Sequence, residues 1–140
     1  MFDQYLVSNW GLLFILFTLL LQTMVATVAH RRQGQYVPGV VNEKLSHDSF
    51  VFRSHRTFQN SLENVPMLFG MAVLAMLTGL NPTWLAATVW VFAVARFIHM
   101  ALYYVIATEK NPSPRSLFFV IGLLSNLVLL GMMVAHFIGQ

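Results

Sequence analysis

Arg53-Ser54-His55-Arg56-Thr57-Phe58-Gln59-Asn60-Ser61-Leu62-Glu63, leading into Asn64-Val65-Pro66, is the stretch on which the reading of this chain turns. Arg53, Arg56, Asn60 and Glu63 stand at offsets 0, 3, 7 and 10. At about 3.6 residues per turn, those positions share one side of a helix. Residues 67–80, which follow, contain no charge, so the polar stripe stands on a helix that enters a membrane. A charge at the centre of a lipid-facing helix costs roughly 2.5–3.5 kcal/mol on insertion scales. Arg56 and Glu63 are therefore expected to look into a protein-lined, partly wet cavity, which makes the stripe a candidate functional site.

Only 9% of the 140 residues are charged and 57% are hydrophobic, with a mean hydropathy of +0.67. Soluble domains carry about 25% charged residues, so this is the composition of an integral membrane protein. The lack of cysteine excludes disulfides, thiolate-ligated metals and a cysteine nucleophile. Any thiol chemistry must use a thiol brought by a substrate. The net charge of +3 is too small and too dispersed for nucleic-acid binding; the gathering of basic residues on the cytoplasmic side of membranes explains it better.

Upstream of the stripe, residues 5–29 carry no charge, ample for the ~20 residues that span a bilayer. A cleaved signal peptide has basic residues before its apolar run, whereas here they follow it. The span is expected to be retained, with residues 1–4 a short tail on the far side. His30-Arg31-Arg32 ends it, either as a positive anchor at the cytoplasmic interface or as a ligand contact. Gly34, Pro38 and Gly39 mark a loop, and Ser46 or Asp48 is placed to cap the next helix. His47 and His55 are eight residues apart, ~12 Å by helical rise and too far to share a metal ion. No metal site is expected.

The second helix is expected from about residue 48 to 80, with its membrane span at 57–80. Pro66 should kink it by removing one helical N–H. Ala72, Ala75 and Gly79 offer a small-residue face for close packing. Gly79-Leu80-Asn81-Pro82 makes a tight turn on the far side, where Tyr5, Trp10 and Trp84 belong at the interface. Further spans cover 83–108 and 116–139. All eight Lys and Arg residues then fall toward one side, which puts loops 30–52 and 109–115 in the cytoplasm and both termini opposite. The expected fold is an all-α, multi-pass membrane protein, a four-transmembrane-helix bundle forming one domain over residues 1–140.

The third span carries a second stripe, Arg96, His99 and Tyr103 at offsets 0, 3 and 7. A lone histidine on an apolar face is more often a satisfied core residue. This one shares its face with an arginine and a tyrosine, at the membrane depth of the first stripe. Arg115-Ser116 opens the fourth span, as interfacial anchor and cap or as members of the same site. Arginine forks bind carboxylates bidentately, Glu63 can hold an ammonium group, and the apolar helix surface beside them can hold a lipophilic compound. A small zwitterion with several carboxylates suits this inventory, which by itself names no ligand.

Arg53-x-x-Arg56-x-x-x-Asn60-x-x-Glu63 followed by Asn64-Val65-Pro66 resembles the second-helix signature of the MAPEG family, the membrane-associated proteins in eicosanoid and glutathione metabolism. Arg96-x-x-His99-x-x-x-Tyr103 and Arg115-Ser116 are similar to third- and fourth-helix elements of that family's prostaglandin E synthase and glutathione transferase branch. The likeness covers nearly the whole chain. It implies a homotrimer with glutathione held in clefts between neighbours by Arg53, Arg56, Asn60, Glu63, Arg96, His99 and Tyr103, with Arg31 or Arg32 as helpers. It further implies that Arg115 stabilises the glutathione thiolate and that Ser116 donates a hydrogen bond to it. Attack on a lipophilic electrophile from the bilayer would then give a thioether, and isomerisation or peroxide reduction could use the same thiolate. Thr57-Phe58 stands where the family commonly has Ala followed by His or Gln, and Ser61 replaces a frequent Asp or Cys. These departures leave the glutathione contacts in place and bear on the second substrate.

Two other classes of function fit parts of the sequence. A non-catalytic lipid-binding scaffold of the same fold would need no Arg115, Arg56 or Glu63. A small transporter accounts for intramembrane charges but not for the ordered motif.

Overall fold

Four long helices, each apolar enough to cross a membrane, make up most of the chain in a computed structural model that describes residues 3–140. Met1 and Phe2 of the expected tail lie outside the described residues, and Asp3–Tyr5 form a short 3-10 turn. The helices are α1 (Leu6–Arg31), α2 (Phe50–Thr78), α3 (Pro82–Val105) and α4 (Pro114–Ile138). α1 and α4 each pack on both α2 and α3, which therefore form the middle of the bundle. The α1–α2 and α3–α4 loops lie at one end, here called the near end. The tight α2–α3 turn lies at the far end.

Several helix ends differ from the sequence-based expectation, each for a local reason. The cap of α2 is Ser49, whose Oγ accepts from the Phe52 N–H at 3.5 Å, and not Ser46 or Asp48. Those two bond to each other, Ser46 Oγ donating to Asp48 Oδ1 at 2.9 Å. α3 stops at Val105 instead of continuing to 108, because Ile106 is already extended. α4 begins two residues before Ser116, with Pro114 at the first helical position, where its missing N–H has no cost. Gly79 serves as the left-handed cap of α2 (φ +80°) and not as part of the packing face, which Ala72 and Ala75 supply fully buried. α2 runs unbroken through Pro66.

The core divides along the bundle. In the far half, Leu68, Leu85, Val89, Phe92 and Leu129 are fully buried. Lipid tails are as apolar as these side chains, so close packing rather than escape from water holds the helices together. Gly11 shows how close: a Cβ added there would sit 2.7 Å from Val89 Cγ1. In the near half the buried residues are mostly polar, among them Ser54, Thr57, Ser61, Asn64, Arg96 and His99, with Met100 and Tyr103 beside them.

Candidate functional site

The stripe on α2 fans out instead of lining a single surface. At 3.6 residues per turn, Arg53, Asn60, Arg56 and Glu63 spread in that order over about 80° of the helix. Burial follows the same order: Arg53 is buried, Asn60 half-buried, and Arg56 and Glu63 exposed on the single subunit. Arg53 turns to the loops. Its Nη1 donates to the carbonyls of His47 (2.8 Å) and Asp48 (3.0 Å), and its Nη2 to that of Tyr104 (3.3 Å). It ties the α1–α2 loop to the end of α3, where three carbonyls would otherwise compete for donors.

α3 repeats the arrangement. Arg96, the first residue of its stripe, is only 2% exposed and points into the bundle, where Nη2 donates to Ser61 Oγ at 3.1 Å. Its Nε and Nη1 are buried without a partner among the described residues, as are His99 Nδ1 and Asn60 Oδ1.

Arg56, Asn60, His99, Tyr103, Arg115 and Ser116 converge on one cavity of about 450 Å³ at the near ends of α2, α3 and α4. The structure thus brings together most of the residues singled out in the sequence. Arg53, Glu63 and Arg96 do not line the cavity; they stand behind it or outside it. Within it, the Arg115 guanidinium lies 3.9 Å from the centroid of the Tyr103 ring, a cation–π contact. Two arginines and no carboxylate stand among the described residues that line the wall, so the cavity suits an anion. Phe119 and Val120 give it an apolar side. Ser116 Oγ accepts from the Ser113 N–H at 3.1 Å, so the expected capping role is present, and the same side chain also borders the cavity.

Sequence reasoning missed His47, Phe52 and Asn111 in this wall. His47 comes from the α1–α2 loop, and its Nδ1 pairs with the Tyr103 hydroxyl at 2.8 Å. No periodicity connects a loop residue to a helix 56 positions away. His55, weighed beside His47, lies instead on a second cleft of about 380 Å³ between α1 and α2, with His30, Arg31 and Gln59. Arg32 stands at the rim of an apolar groove on the same two helices, lined by Leu21, Met24, Val28 and Phe50. Neither Arg31 nor Arg32 reaches the first cavity within one chain.

The family model of MAPEG matches residues 7–135, nearly the whole chain and all four helices. The chain belongs to the MAPEG family. Membership fits the four membrane-spanning helices and the polar residues gathered at one end. MAPEG proteins include glutathione transferases and related enzymes as well as members without enzymatic activity. No curated protein and no solved structure gives a match to this chain.

Proposed function

We propose that this MAPEG protein is a membrane-bound glutathione transferase, which joins the glutathione thiolate to lipophilic electrophiles arriving from the bilayer. The observation that carries the reading is the pairing of Arg56 and Arg115 in one cavity whose described wall holds no carboxylate. Its volume falls within the ~300–1,000 Å³ of small-molecule sites. Glutathione presents carboxylates, an ammonium and a thiol, and the residues fit these groups one by one. Arg56 offers a bidentate fork to a carboxylate. Asn60 and His99 offer buried polar atoms that have no partner among the described residues. Glu63, at the outer edge of the stripe, suits the ammonium. Arg53 and Arg96 support the wall from behind.

Arg115 carries the chemistry. A fixed cation beside a thiol favours its ionised form, and the thiolate is the nucleophile. Ser116 stands next to it on the first turn of α4, where helix N–H groups also favour an anion. Thioether formation then needs only an electrophile held against the apolar side made by Phe119 and Val120. Peroxide reduction and isomerisation are related uses of the same thiolate.

Arg56 and Glu63 are exposed on the isolated subunit, and Glu63, inside the expected span, would face lipid at a cost of up to roughly 2.5–3.5 kcal/mol at the helix centre. The active form is therefore an assembly in which a neighbouring copy covers this face, and the family resemblance implies a homotrimer. Arg31, on the second cleft, is then free to serve a neighbour's site. The one-sided Lys and Arg distribution directs the near end, and the cavity, to the cytoplasm.

Protein purified in detergent tests the reading by calorimetric titration with glutathione and by conjugation of an activated aryl halide. Saturable binding with turnover is expected. Absence of glutathione binding would overturn the proposal, and binding without turnover on any electrophile would favour the non-catalytic scaffold.

A further inference from the structure

Glu109, His47 and Tyr103 form a line that leads from solvent into the cavity. The Tyr103 hydroxyl lies 2.8 Å from His47 Nδ1, and His47 Nε2 lies 3.9 Å from Glu109 Oε2. The His47 backbone is held on both sides. Its N–H donates to Glu109 Oε1 at 3.0 Å, and its carbonyl accepts from Arg53 at 2.8 Å. The ring is further fixed by stacking on Tyr103 at 5.6 Å and by an edge contact with Phe52 at 5.0 Å. The His47 side chain is 23% exposed and that of Glu109 66%, so the outer end of the line meets water.

This geometry favours one direction for the proton between Tyr103 and His47. The Glu109 carboxylate, 3.9 Å from Nε2 and so acting through its charge and not a direct hydrogen bond, favours the tautomer that carries hydrogen there. Nδ1 must then accept, and Tyr103 must donate to it. The Tyr103 hydroxyl consequently turns a lone pair, and not a proton, toward the cavity that Arg115 borders. A hydroxyl in that state cannot donate to a thiolate, but it can accept a proton from a thiol.

We infer that His47, oriented by Glu109, is the positioning residue that takes up the thiol proton of bound glutathione by way of Tyr103. The inference rests on the glutathione reading above. In the step, Tyr103 Oη takes the proton of the S–H group while passing its own proton to His47 Nδ1. The S–H bond breaks and its electron pair stays on sulfur; a new O–H bond forms on Tyr103 and a new N–H bond on His47. Afterwards the Tyr103 hydroxyl points at the thiolate as a donor, and the His47 imidazolium lies beside Glu109. His47 then loses its Nε2 proton to water at the exposed end and is left neutral with hydrogen on Nδ1; the line resets when these proton shifts reverse after product release. The charged groups around this line are Glu109 from the α3–α4 loop, Arg53 and Arg56 from α2, and Arg115 from α4. Asp48 adjoins His47 in sequence, and His99 lies edge-on to the Tyr103 ring at 5.9 Å. Arg115 lowers the cost of the anion, and His47 gives the proton somewhere to go.

The test compares the unmutated protein with His47→Asn and Glu109→Gln. S-methylglutathione, which has no thiol proton, is titrated by calorimetry. Thiolate formation with glutathione is followed by ultraviolet absorbance in a stopped-flow mixer from pH 6.5 to 9. His47→Asn is expected to slow thiolate formation at least tenfold at pH 7, as loss of a general base does, while S-methylglutathione affinity moves less than threefold. Glu109→Gln should slow it by a smaller factor. Both deficits should shrink toward pH 9, where hydroxide replaces the missing acceptor. A rate in His47→Asn equal to that of the unmutated protein, or a loss of the same size at every pH, would overturn the inference. An unmutated protein that binds neither ligand would overturn the glutathione reading itself, and this inference with it.

Discussion

At the far end of the bundle, side chains close off the helix ends: Tyr5 donates to the Leu80 carbonyl at 2.6 Å, and His136 reaches that of Thr78 at 2.9 Å. At the near end, Arg96, His99 and Asn60 keep buried polar atoms that none of the described residues satisfies, whereas at the far end only Ser8 Oγ is left so among the described residues. The far half is built on Leu68, Leu85, Phe92 and Leu129, and the near half on Ser61, Asn64, Arg96 and His99. An unsatisfied buried polar group costs about 1–3 kcal/mol. The near half therefore lowers the stability of the fold, and its surplus donors and acceptors are what a multiply charged ligand can use. One half holds the helices together by apolar packing, and the other is the half to which the proposed function assigns recognition.

That division predicts that mutations separate into two classes with little overlap. The largest effect belongs to the far half. Phe92→Ala should lower stability by about 3–5 kcal/mol, read as the thermal midpoint in detergent, while S-methylglutathione affinity of the folded fraction stays the same. A Phe92→Ala protein that loses affinity at temperatures where it is folded would break the separation. In the near half, on the proposed reading, Arg56→Ala and Glu63→Ala would each remove a charge-assisted contact to glutathione worth roughly 1.5–3 kcal/mol. Glutathione affinity should fall by about ten- to a hundredfold, with no drop in thermal midpoint. Folded variants with undiminished affinity would return both residues to helix packing. The smallest effect is Tyr5→Phe, which removes a single hydrogen bond at the far end and should cost about 0.5–1.5 kcal/mol of stability. Thiolate formation in that variant should match the unmutated protein.

The two halves also differ in how much of them the sequence discloses. Charge-free runs and one-sided basic residues were enough to give four membrane helices, because lipid imposes length and polarity directly on composition. The two stripes located the cavity, since helical spacing carries over to space. Their edges were less legible. A stripe about 80° wide reaches from the bundle interior to the subunit surface, so Arg53 and Arg96 turn inward while Glu63 turns out. Spacing alone does not say which edge faces which neighbour; that depends on how α2 and α3 are rotated against each other. His47 and Glu109 could not be placed at all. The position of His47 follows from the Arg53 contacts that fold the α1–α2 loop over α3, and Glu109 meets it from the α3–α4 loop by accepting from its backbone N–H; the only hint was a histidine beside a helix cap.

On the proposed function, Arg115 is the group that stabilises a thiolate in the cavity. The most direct measurement is the ultraviolet titration of glutathione bound to the unmutated protein and to Arg115→Ala, each at saturating ligand. The guanidinium should be worth at least about 1.4 kcal/mol to the anion, which moves thiolate formation up by one pH unit or more in the variant. Aryl halide conjugation at pH 7 should fall at least in proportion. Affinity for S-methylglutathione should change by much less, because Arg56 remains to hold a carboxylate. An Arg115→Ala protein with an unaltered thiolate titration and normal turnover would contradict the account and leave Arg115 as an interfacial anchor stacked on Tyr103.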